Sequence, residues 1–305
     1  MKYIIICGPT CSGKTSLGVE LALHFSGEII SADSRQIYQE TSIGTAKPRP
    51  EECRGIKYHL IDFLNLDQRF SAHQFAVMAA ELIRDIFEAG KTPFVVGGTG
   101  LYLEALTKGL FDSPEPDYGY RRQLEELARN KGTKNLHKLL AEVDHISAAR
   151  IKTNDKARLI RALEIFKLTG KPLSALRDIR QPPLPVRPLW IGLAPNRAKL
   201  YEKINDRVDK MIENGLEREV LGLKSRQDQL RQRKLVGYAD MVEFLFDKTL
   251  TRSQAIAKFK QRHRNYAKRQ LTWFHKVSEI HWFDPDDRQI SANVVKQCAN
   301  YLKKA

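Results

Sequence analysis

The chain has 305 residues, of which 42% are hydrophobic, enough to bury a substantial core in one large domain or in two smaller ones. Lysine and arginine total 51 against 36 acidic residues, and this net charge of +15 favours a polyanionic partner such as nucleic acid. The four cysteines lack C-x-x-C spacing, which argues against a zinc or disulfide framework. No apolar run is long enough to span a bilayer, and no signal peptide is indicated, so we expect a cytoplasmic protein with no membrane partner.

The chain begins with a motif typical of phosphate-binding loops. The apolar run at residues 3–7 predicts a strand, and the pattern carrying Leu17 and Leu21 predicts a helix. Between them lies a match to G-x-x-x-x-G-K-[ST], in which backbone amides and a helix N-terminus surround phosphate oxygens. The predicted phosphate-binding residues are Gly8, Pro9, Thr10, Cys11, Ser12, Gly13, Lys14 and Thr15. Lys14 supplies a positive charge, and the Thr15 hydroxyl is predicted to ligate Mg²⁺.

Predicted strands and helices then alternate. Strands are predicted at 28–32, 58–63 and 94–96, and a long amphipathic helix begins after its N-cap residue Ser71. This alternation favours an α/β fold with a P-loop NTPase-like parallel sheet core. Two acids, Asp33 and Asp62, stand at strand ends. Asp33 is predicted to lie beside the phosphate loop, because ligands bind at the carboxyl ends of parallel strands. Its simpler interpretation is a loop cap.

A glycine-rich turn, Gly97-Gly98-Thr99-Gly100, follows the strand at 94–96. The glycines are either ordinary turn residues or a place where a substrate approaches the backbone closely. Lys47, in the earlier turn-rich segment at 43–48, is more simply interpreted as a solvated lysine.

Two proline-rich linkers, at 113–117 and 181–185, bracket a segment that is predicted to be helical throughout. Strand character resumes at 189–193 and returns at 279–283. We therefore predict a P-loop core that begins at 1–113, a helical insertion domain at 114–185, and a completion of the core at 186–305 with basic C-terminal helices.

The charge is concentrated in one C-terminal helix, between Thr251 and Lys276, which contains no acid. Its basic residues are Arg252, Lys258, Lys260, Arg262, Arg264, Lys268, Arg269 and Lys276. A helix with one sign of charge gains no support from ion pairs along its own length. We therefore expect an external anion, such as RNA phosphates, to account for it.

Several motifs, in their order and spacing, resemble those of the tRNA dimethylallyltransferase family, and the resemblance runs essentially end to end. The matching segments are 8–15, 31–38, 43–48, 97–102, 149–151, 154–155, 158–164, 236–238 and 268–273. The resemblance implies transfer of a dimethylallyl group from dimethylallyl diphosphate to the exocyclic amine of the adenine just 3′ of the anticodon. It implies Mg²⁺ as the cofactor and the tRNA anticodon stem-loop as the partner, and we expect a monomer.

The resemblance also implies roles for single residues. Asp33 matches the general base, Thr99 is the second catalytic candidate, and 33–36 match the wall around a flipped adenine. The implied tRNA-contacting residues are Asp33, Ser34, Arg35, Gln36, Thr99, Arg121, Ala157, Arg158, Leu159, Ile160, Arg161, Lys234, Leu235, Val236, Gly237, Tyr238 and Ala239. The insertion matches the mobile, tRNA-clamping domain of the family. Glu40 and Ser42 stand where the family usually has a glycine and an acid, which puts a metal or amine contact in question.

Three other functions stay open on the residues alone. A small-molecule P-loop kinase would transfer the γ-phosphoryl group of ATP, but leaves the basic helix and the insertion unexplained. An RNA-binding NTPase would bind RNA and alkylate nothing. An adenylate isopentenyltransferase would modify a free nucleotide, and would not need the acid-free helix.

Overall fold

The computed structural model describes residues 1–178, 182–233 and 235–303, which form two compact units. Unit 1 comprises Met1–Thr107 and Leu184–Ala305, and unit 2 comprises Lys108–Pro183. Lys234, predicted to contact tRNA, and Gln181, in the second predicted linker, lie outside the described residues. Within the described ranges, no helix combines the length and the apolar character needed to cross a membrane.

The centre of unit 1 is a six-stranded sheet in which every strand pair is parallel, and this confirms the predicted α/β fold. The strands are β1 Ile4–Cys7, β2 Gly27–Ser31, β3 Tyr58–His59, β4 Thr92–Gly97, β5 Leu189–Leu193 and β6 Ile280–Phe283. They lie in the order β3-β2-β4-β1-β5-β6. Strand β4 therefore separates β1, which leads into the phosphate loop, from β2, which leads to Asp33.

The third strand is shorter than the predicted 58–63. It ends at His59 because Leu60 and Asp62 adopt positive φ angles of 54° and 57°, which an extended strand does not allow.

Helices of the first chain segment follow the strands, as the alternation predicts. They are α1 Lys14–His24, α2 Pro50–Cys53, α3 Ala72–Glu88 and α4 Gly100–Lys108. Helix α3 begins after Ser71, whose hydroxyl accepts a 3.1 Å hydrogen bond from the backbone N–H of Gln74. The Gln74 side chain accepts in return from the Ser71 backbone N–H at 2.8 Å, which completes a capping box.

The helices of unit 2 are α5 Tyr118–Lys131, α6 Thr133–Val143, α7 His145–Arg150, α8 Lys156–Thr169 and α9 Leu173–Asp178. Leucines of α5, α6 and α8 form a separate apolar core, in which Leu136, Leu140 and Leu159 are fully buried.

The last chain segment completes unit 1. Its helices are α10 Arg197–Glu213, α11 Leu216–Gly222, the 3-10 turn Lys224–Arg226, α12 Gln227–Gln232, α13 Tyr238–Leu245, α14 Arg252–Phe274 and α15 Ile290–Lys303. Helix α14 contacts α10 and α13, and its Phe259 and Phe274 are fully buried. Helix α15 instead buries Val294 and Cys298 in the core cluster around β1 and β5. The sheet and α14 together position the candidate site.

Candidate active site

The phosphate loop connects β1 to α1 with the backbone geometry that its glycines allow. Gly8 has a φ of +144°, and a side chain there would begin 2.7 Å from the carbonyl oxygen of Leu193. Gly13, the N-cap residue of α1, has a φ of +90°. Ser12 is 2% exposed, and its hydroxyl has no hydrogen-bond partner in the described part of the chain. An orphaned buried hydroxyl beside a helix N-terminus suits a phosphate oxygen.

Lys14, the first residue of α1, turns back toward this loop. Its Nζ donates a 2.5 Å hydrogen bond to the carbonyl oxygen of Pro9. Burial lowers the pKa of Lys14 to about 8; the Asp33 carboxylate opposes this effect, whereas the Arg207 guanidinium adds to it. Asp33 therefore lies close enough to Lys14 to act on its charge, as the parallel-sheet argument predicts.

Arg207 is a second cation at the loop, and no motif in the sequence indicates it. It stands on α10, 197 residues from Thr10 along the chain, and its Nη1 donates to the Thr10 hydroxyl at 3.2 Å. The same Nη1 lies 3.6 Å from Sγ of Cys11. No local pattern distinguishes this arginine from the other basic residues of an amphipathic helix. Its position gives the phosphate loop a guanidinium, the group best suited to bind phosphate oxygens.

Asp33 and Thr99 lie at the carboxyl ends of the neighbouring strands β2 and β4. The Thr99 hydroxyl accepts a 2.9 Å hydrogen bond from the backbone N–H of Ser34 and donates to the Ser34 hydroxyl at 3.2 Å. One oxygen of Asp33 accepts from the backbone N–H of Arg35 at 2.9 Å, so this carboxylate also caps its loop. The structure thus brings together Asp33, Ser34 and Thr99.

The side chains of Arg35 and Gln36 are held by other parts of unit 1. The guanidinium carbon of Arg35 lies 3.6 Å from the centre of the Tyr266 ring, which belongs to α14. The Gln36 side-chain amide donates to the carbonyl oxygens of Ala46 at 2.9 Å and Thr45 at 3.3 Å. Both residues therefore have fixed positions next to Asp33.

The glycine-rich turn after β4 is occupied by the protein itself. A side chain at Gly97 would begin 2.1 Å from the carbonyl oxygen of Ala32, and one at Gly98 would begin 2.2 Å from Nε2 of Gln270. A side chain at Gly100 would meet the Trp273 ring at 2.3 Å. The glycines are needed for close packing within unit 1, and the close approach of a substrate to the backbone of this turn stays a prediction.

The turn-rich loop at 42–47 is anchored by side chains far away in the sequence. The Glu219 carboxylate on α11 accepts hydrogen bonds from the backbone N–H groups of Ser42 at 2.9 Å, Ile43 at 2.8 Å and Gly44 at 3.3 Å. Ser42, one of the two departures from the family pattern, is thus held through its backbone.

The other polar residues near this loop have structural partners. Glu40, the second departure, accepts from the backbone N–H of Leu66 at 3.2 Å. The Lys47 side chain is only 8% exposed and pairs with Asp62. The interpretation of Lys47 as a solvated lysine is therefore wrong, because its ammonium group is buried against a carboxylate. Its partner Asp62, which the sequence predicts at a strand end, lies three residues beyond the end of β3.

Much of the segment predicted to contact tRNA at 235–239 lies inside the protein. Leu235 and Val236 are 2% and 9% exposed, and Tyr238 is fully buried in the cluster with Phe259. Their side chains build the core, so a role in tRNA binding is left to backbone groups and to the half-buried Ala239.

Most basic residues of α14 have partners on the helices packed beside it. Lys260 lies 2.7 Å from Asp209, and Arg262 lies 2.9 Å from the fully buried Asp240. Arg264 donates a 2.6 Å hydrogen bond to Asn205. Arg252 forms an ion pair with Glu217, and Lys258 forms one with Glu243. The protein's own groups therefore partner these basic residues, and contact with an external anion stays a prediction for them. Their acids come from α10, α11 and α13, which a search along one helix cannot detect. Lys268 remains exposed.

The tRNA-contact candidates of unit 2 differ in exposure. Arg121 donates to the buried Glu164 at 2.7 and 2.8 Å, and Arg161 pairs with the same carboxylate. Burial alone would raise the pKa of Glu164, but these hydrogen bonds hold it below its ordinary value. Leu159 and Ile160 are buried in the core, whereas Ala157 and Arg158 are exposed. Arg158 also pairs with Asp155 at 2.9 Å.

Few protein groups are available to hold a metal ion at this site. Thr15 is exposed at the start of α1, and the Asp33 carboxylate acts on the charge of the adjacent residue Lys14. Within the described ranges, no group of three or more histidine, cysteine or acidic residues is arranged to hold a metal. Such a sparse donor set fits Mg²⁺, which keeps several waters and binds through one or two protein groups and substrate phosphates.

Comparisons with known proteins agree on one family. The sequence model of the family described as IPP transferase matches residues 36–277. A protein of Geotalea uraniireducens named tRNA dimethylallyltransferase 2 is 45% identical over 287 residues, which cover 93% of this chain and 92% of that protein. The crystal structure of the full-length tRNA isopentenylpyrophosphate transferase from Bacillus halodurans is similar with a TM-score of 0.70 at 38% identity, covering 99% of this chain and 97% of the other.

A eukaryotic dimethylallyltransferase, described as acting on tRNA, has a more similar backbone and a more distant sequence. Its TM-score is 0.83 at 27% identity, and the match covers 99% of this chain and 79% of the other. The shared architecture therefore extends across the whole chain.

Proposed function

This chain belongs to the tRNA dimethylallyltransferase family, and we propose that it transfers a dimethylallyl group from dimethylallyl diphosphate to tRNA. The acceptor is the exocyclic amine of the adenine 3′-adjacent to the anticodon, and diphosphate is released. The observation that carries the proposal is the sheet order: Asp33 follows β2 and the phosphate loop follows β1, and these two parallel strands flank β4 and end at the same edge of the sheet. A candidate base and a phosphate loop therefore face one site.

The phosphate loop serves the leaving group. When the allylic carbon–oxygen bond breaks, both electrons leave with the diphosphate, so negative charge grows on its oxygens. Loop amides, Lys14 and Arg207 direct positive charge toward them, which stabilises the transition state more than the ground state.

Asp33 serves the nucleophile. The adenine amine is a weak nucleophile because its lone pair is delocalised into the ring. As its nitrogen bonds to the allylic carbon, the amine must lose a proton, and the Asp33 carboxylate accepts it. The hydrogen bond from Arg35 N–H holds one Asp33 oxygen in place, and Thr99 holds the neighbouring Ser34.

Mg²⁺ would be held by the Thr15 hydroxyl together with the substrate's phosphate oxygens. When bound, it would neutralise negative charge on the diphosphate. Lys14 and Arg207 would still direct positive charge toward the diphosphate, and Asp33 would still accept the proton.

The tRNA anticodon stem-loop is the second substrate. An anticodon-loop base is unpaired, so that moving it into a pocket costs little. The net charge of +15 and the exposed Arg158 on unit 2 support an RNA partner. We expect the protein to carry out this function as a monomer in the cytoplasm.

The direct test is to incubate the protein with radiolabelled dimethylallyl diphosphate, Mg²⁺ and unmodified tRNA in the presence of ATP and AMP, and then to analyse the free nucleotides and the nucleosides of the digested tRNA. We expect labelled, prenylated adenosine from tRNA and one diphosphate released per transfer. ADP formation from ATP would favour a small-molecule kinase, and label on free adenine nucleotides alone would favour an adenylate isopentenyltransferase. Binding of tRNA without any alkylation would favour an RNA-binding NTPase.

A further inference from the structure

We propose that Gln270 is a positioning residue that holds the phosphate loop and the glycine turn after β4 at a fixed separation. This inference rests on the proposed function. Gln270 lies on α14 and is 6% exposed. Its Oε1 accepts from the backbone N–H of Thr10 at 2.9 Å, and its Nε2 donates to the carbonyl oxygen of Gly98 at 2.9 Å. One side-chain amide thus joins two loops that come from different strands.

The orientation of this amide is determined by its partners. Thr10 N–H can only donate and the Gly98 carbonyl can only accept, so a flipped amide would lose both hydrogen bonds. The Gln270 amide is also packed tightly against the turn, since a side chain at Gly98 would begin 2.2 Å from Nε2 of Gln270. One turn along α14, Trp273 packs against Gly100, and Ala267 and Phe274 are fully buried. Both loops are therefore held to a rigid helix.

Each loop carries one half of the proposed reaction. Thr10 accepts a hydrogen bond from Arg207 in the loop that binds the diphosphate. Gly98 precedes Thr99, which holds Ser34 next to the base Asp33. The bridge thus sets the distance between the site of the leaving group and the site of the base. Because Thr10 N–H already donates to Gln270, this amide acts in loop positioning rather than as a free phosphate donor.

Small changes in this distance have large effects on rate. The reacting atoms must approach to about 3–3.5 Å, and a misplacement of about 1 Å can cost on the order of 100-fold. Loss of the bridge should therefore slow the chemical step while each substrate still binds its own loop.

The first test replaces Gln270 with methionine, which has a similar length but cannot form the two hydrogen bonds. The matched control is Gln261→Met, the same change at an exposed position of the same helix. With both substrates saturating, we expect Gln270→Met to lower kcat by about 10- to 100-fold. The KM for dimethylallyl diphosphate and the Kd for tRNA should change by less than about three-fold, and the control should match the wild type.

The second test uses Gly98→Ala, whose methyl group should displace the Gln270 amide. We expect it to lower kcat in the wild-type background and to have a smaller effect in a Gln270→Ala background, where the 2.2 Å clash with Gln270 is removed and only a 3.3 Å approach to the carbonyl oxygen of Gly8 remains. This crossed result does not depend on how well Gln270→Met folds.

Three results would overturn the inference. The first is an unchanged kcat in folded Gln270→Met. The second is a lowered melting temperature with normal turnover, which would make Gln270 merely structural. The third is an equal effect of Gly98→Ala in both backgrounds. An active wild type in these cases would leave the proposed function standing, whereas a wild type that cannot prenylate tRNA would overturn both.

Discussion

The hydroxyl of Tyr238 donates a 2.5 Å hydrogen bond to the carboxylate of Glu219, and the two side chains together hold the loop at 42–44. Tyr238 also accepts from the backbone N–H of Gly44 at 3.1 Å. Burial and the Glu219 carboxylate both raise the pKa of Tyr238, so its hydroxyl keeps the proton that it donates. A buried tyrosine from a sequence motif thus serves to anchor a loop.

Removing this hydroxyl should destabilise the protein locally. Tyr238→Phe keeps the ring but leaves a carboxylate oxygen and the Gly44 N–H without a partner, at a cost of about 1–3 kcal/mol in the free energy of unfolding. Glu219→Gln should also destabilise, because its amide N–H groups would face donors. Urea unfolding measures the stability, and hydrogen exchange at 42–44 should quicken in both variants. Unchanged protection of these amides would contradict the anchoring role.

Lys14 should give the protein a specific pH dependence. Its pKa falls from 10.5 to about 8 on folding, so between these values the unfolded chain binds more protons than the folded one. Stability contributed by this group therefore rises with pH through that window, and affinity of the free protein for inorganic diphosphate falls as Lys14 becomes neutral. Lys14→Met should lose both dependences while its Kd for tRNA stays nearly unchanged. The same pH profiles in Lys14→Met would refute this assignment.

Asp33→Asn separates the proposed base from the loop cap. Asparagine can still accept the hydrogen bond from Arg35 N–H, but it cannot accept the proton from the amine. We expect single-turnover rates with both substrates bound to fall by about 100- to 10,000-fold. The melting temperature should stay close to that of the wild type. Near-normal chemistry in this variant would mean that Asp33 only caps its loop.

Two lysines on α14 should respond differently to salt. Lys258 pairs with Glu243, whereas Lys268 is exposed. If Lys268 contacts an RNA phosphate, Lys268→Gln should flatten the log–log salt dependence of tRNA binding by about 0.7–0.9. The matched variant Lys258→Gln should leave this slope unchanged and cost at most about 1 kcal/mol of stability. Equal slopes in both variants and the wild type would locate the RNA elsewhere.

Local features of the site could be predicted from the sequence because they depend on neighbouring residues. The phosphate loop, the helix N-cap at Ser71 and the strand periodicity are each encoded within a few positions. The location of Asp33 could also be predicted, since the carboxyl ends of parallel strands meet at one edge of the sheet.

The tertiary structure decided what lies around these elements. Arg207, Glu219 and Gln270 contact the loops across 197, 177 and 260 residues of sequence, and no local pattern predicts such pairs. No local pattern predicts the acidic partners of the basic residues on α14 either, because these acids lie on neighbouring helices. Nor does the motif that contains Tyr238 reveal that this side chain is buried in the core. Packing brings distant groups together, and it alone determines whether a given polar residue meets solvent, a substrate or another part of the chain.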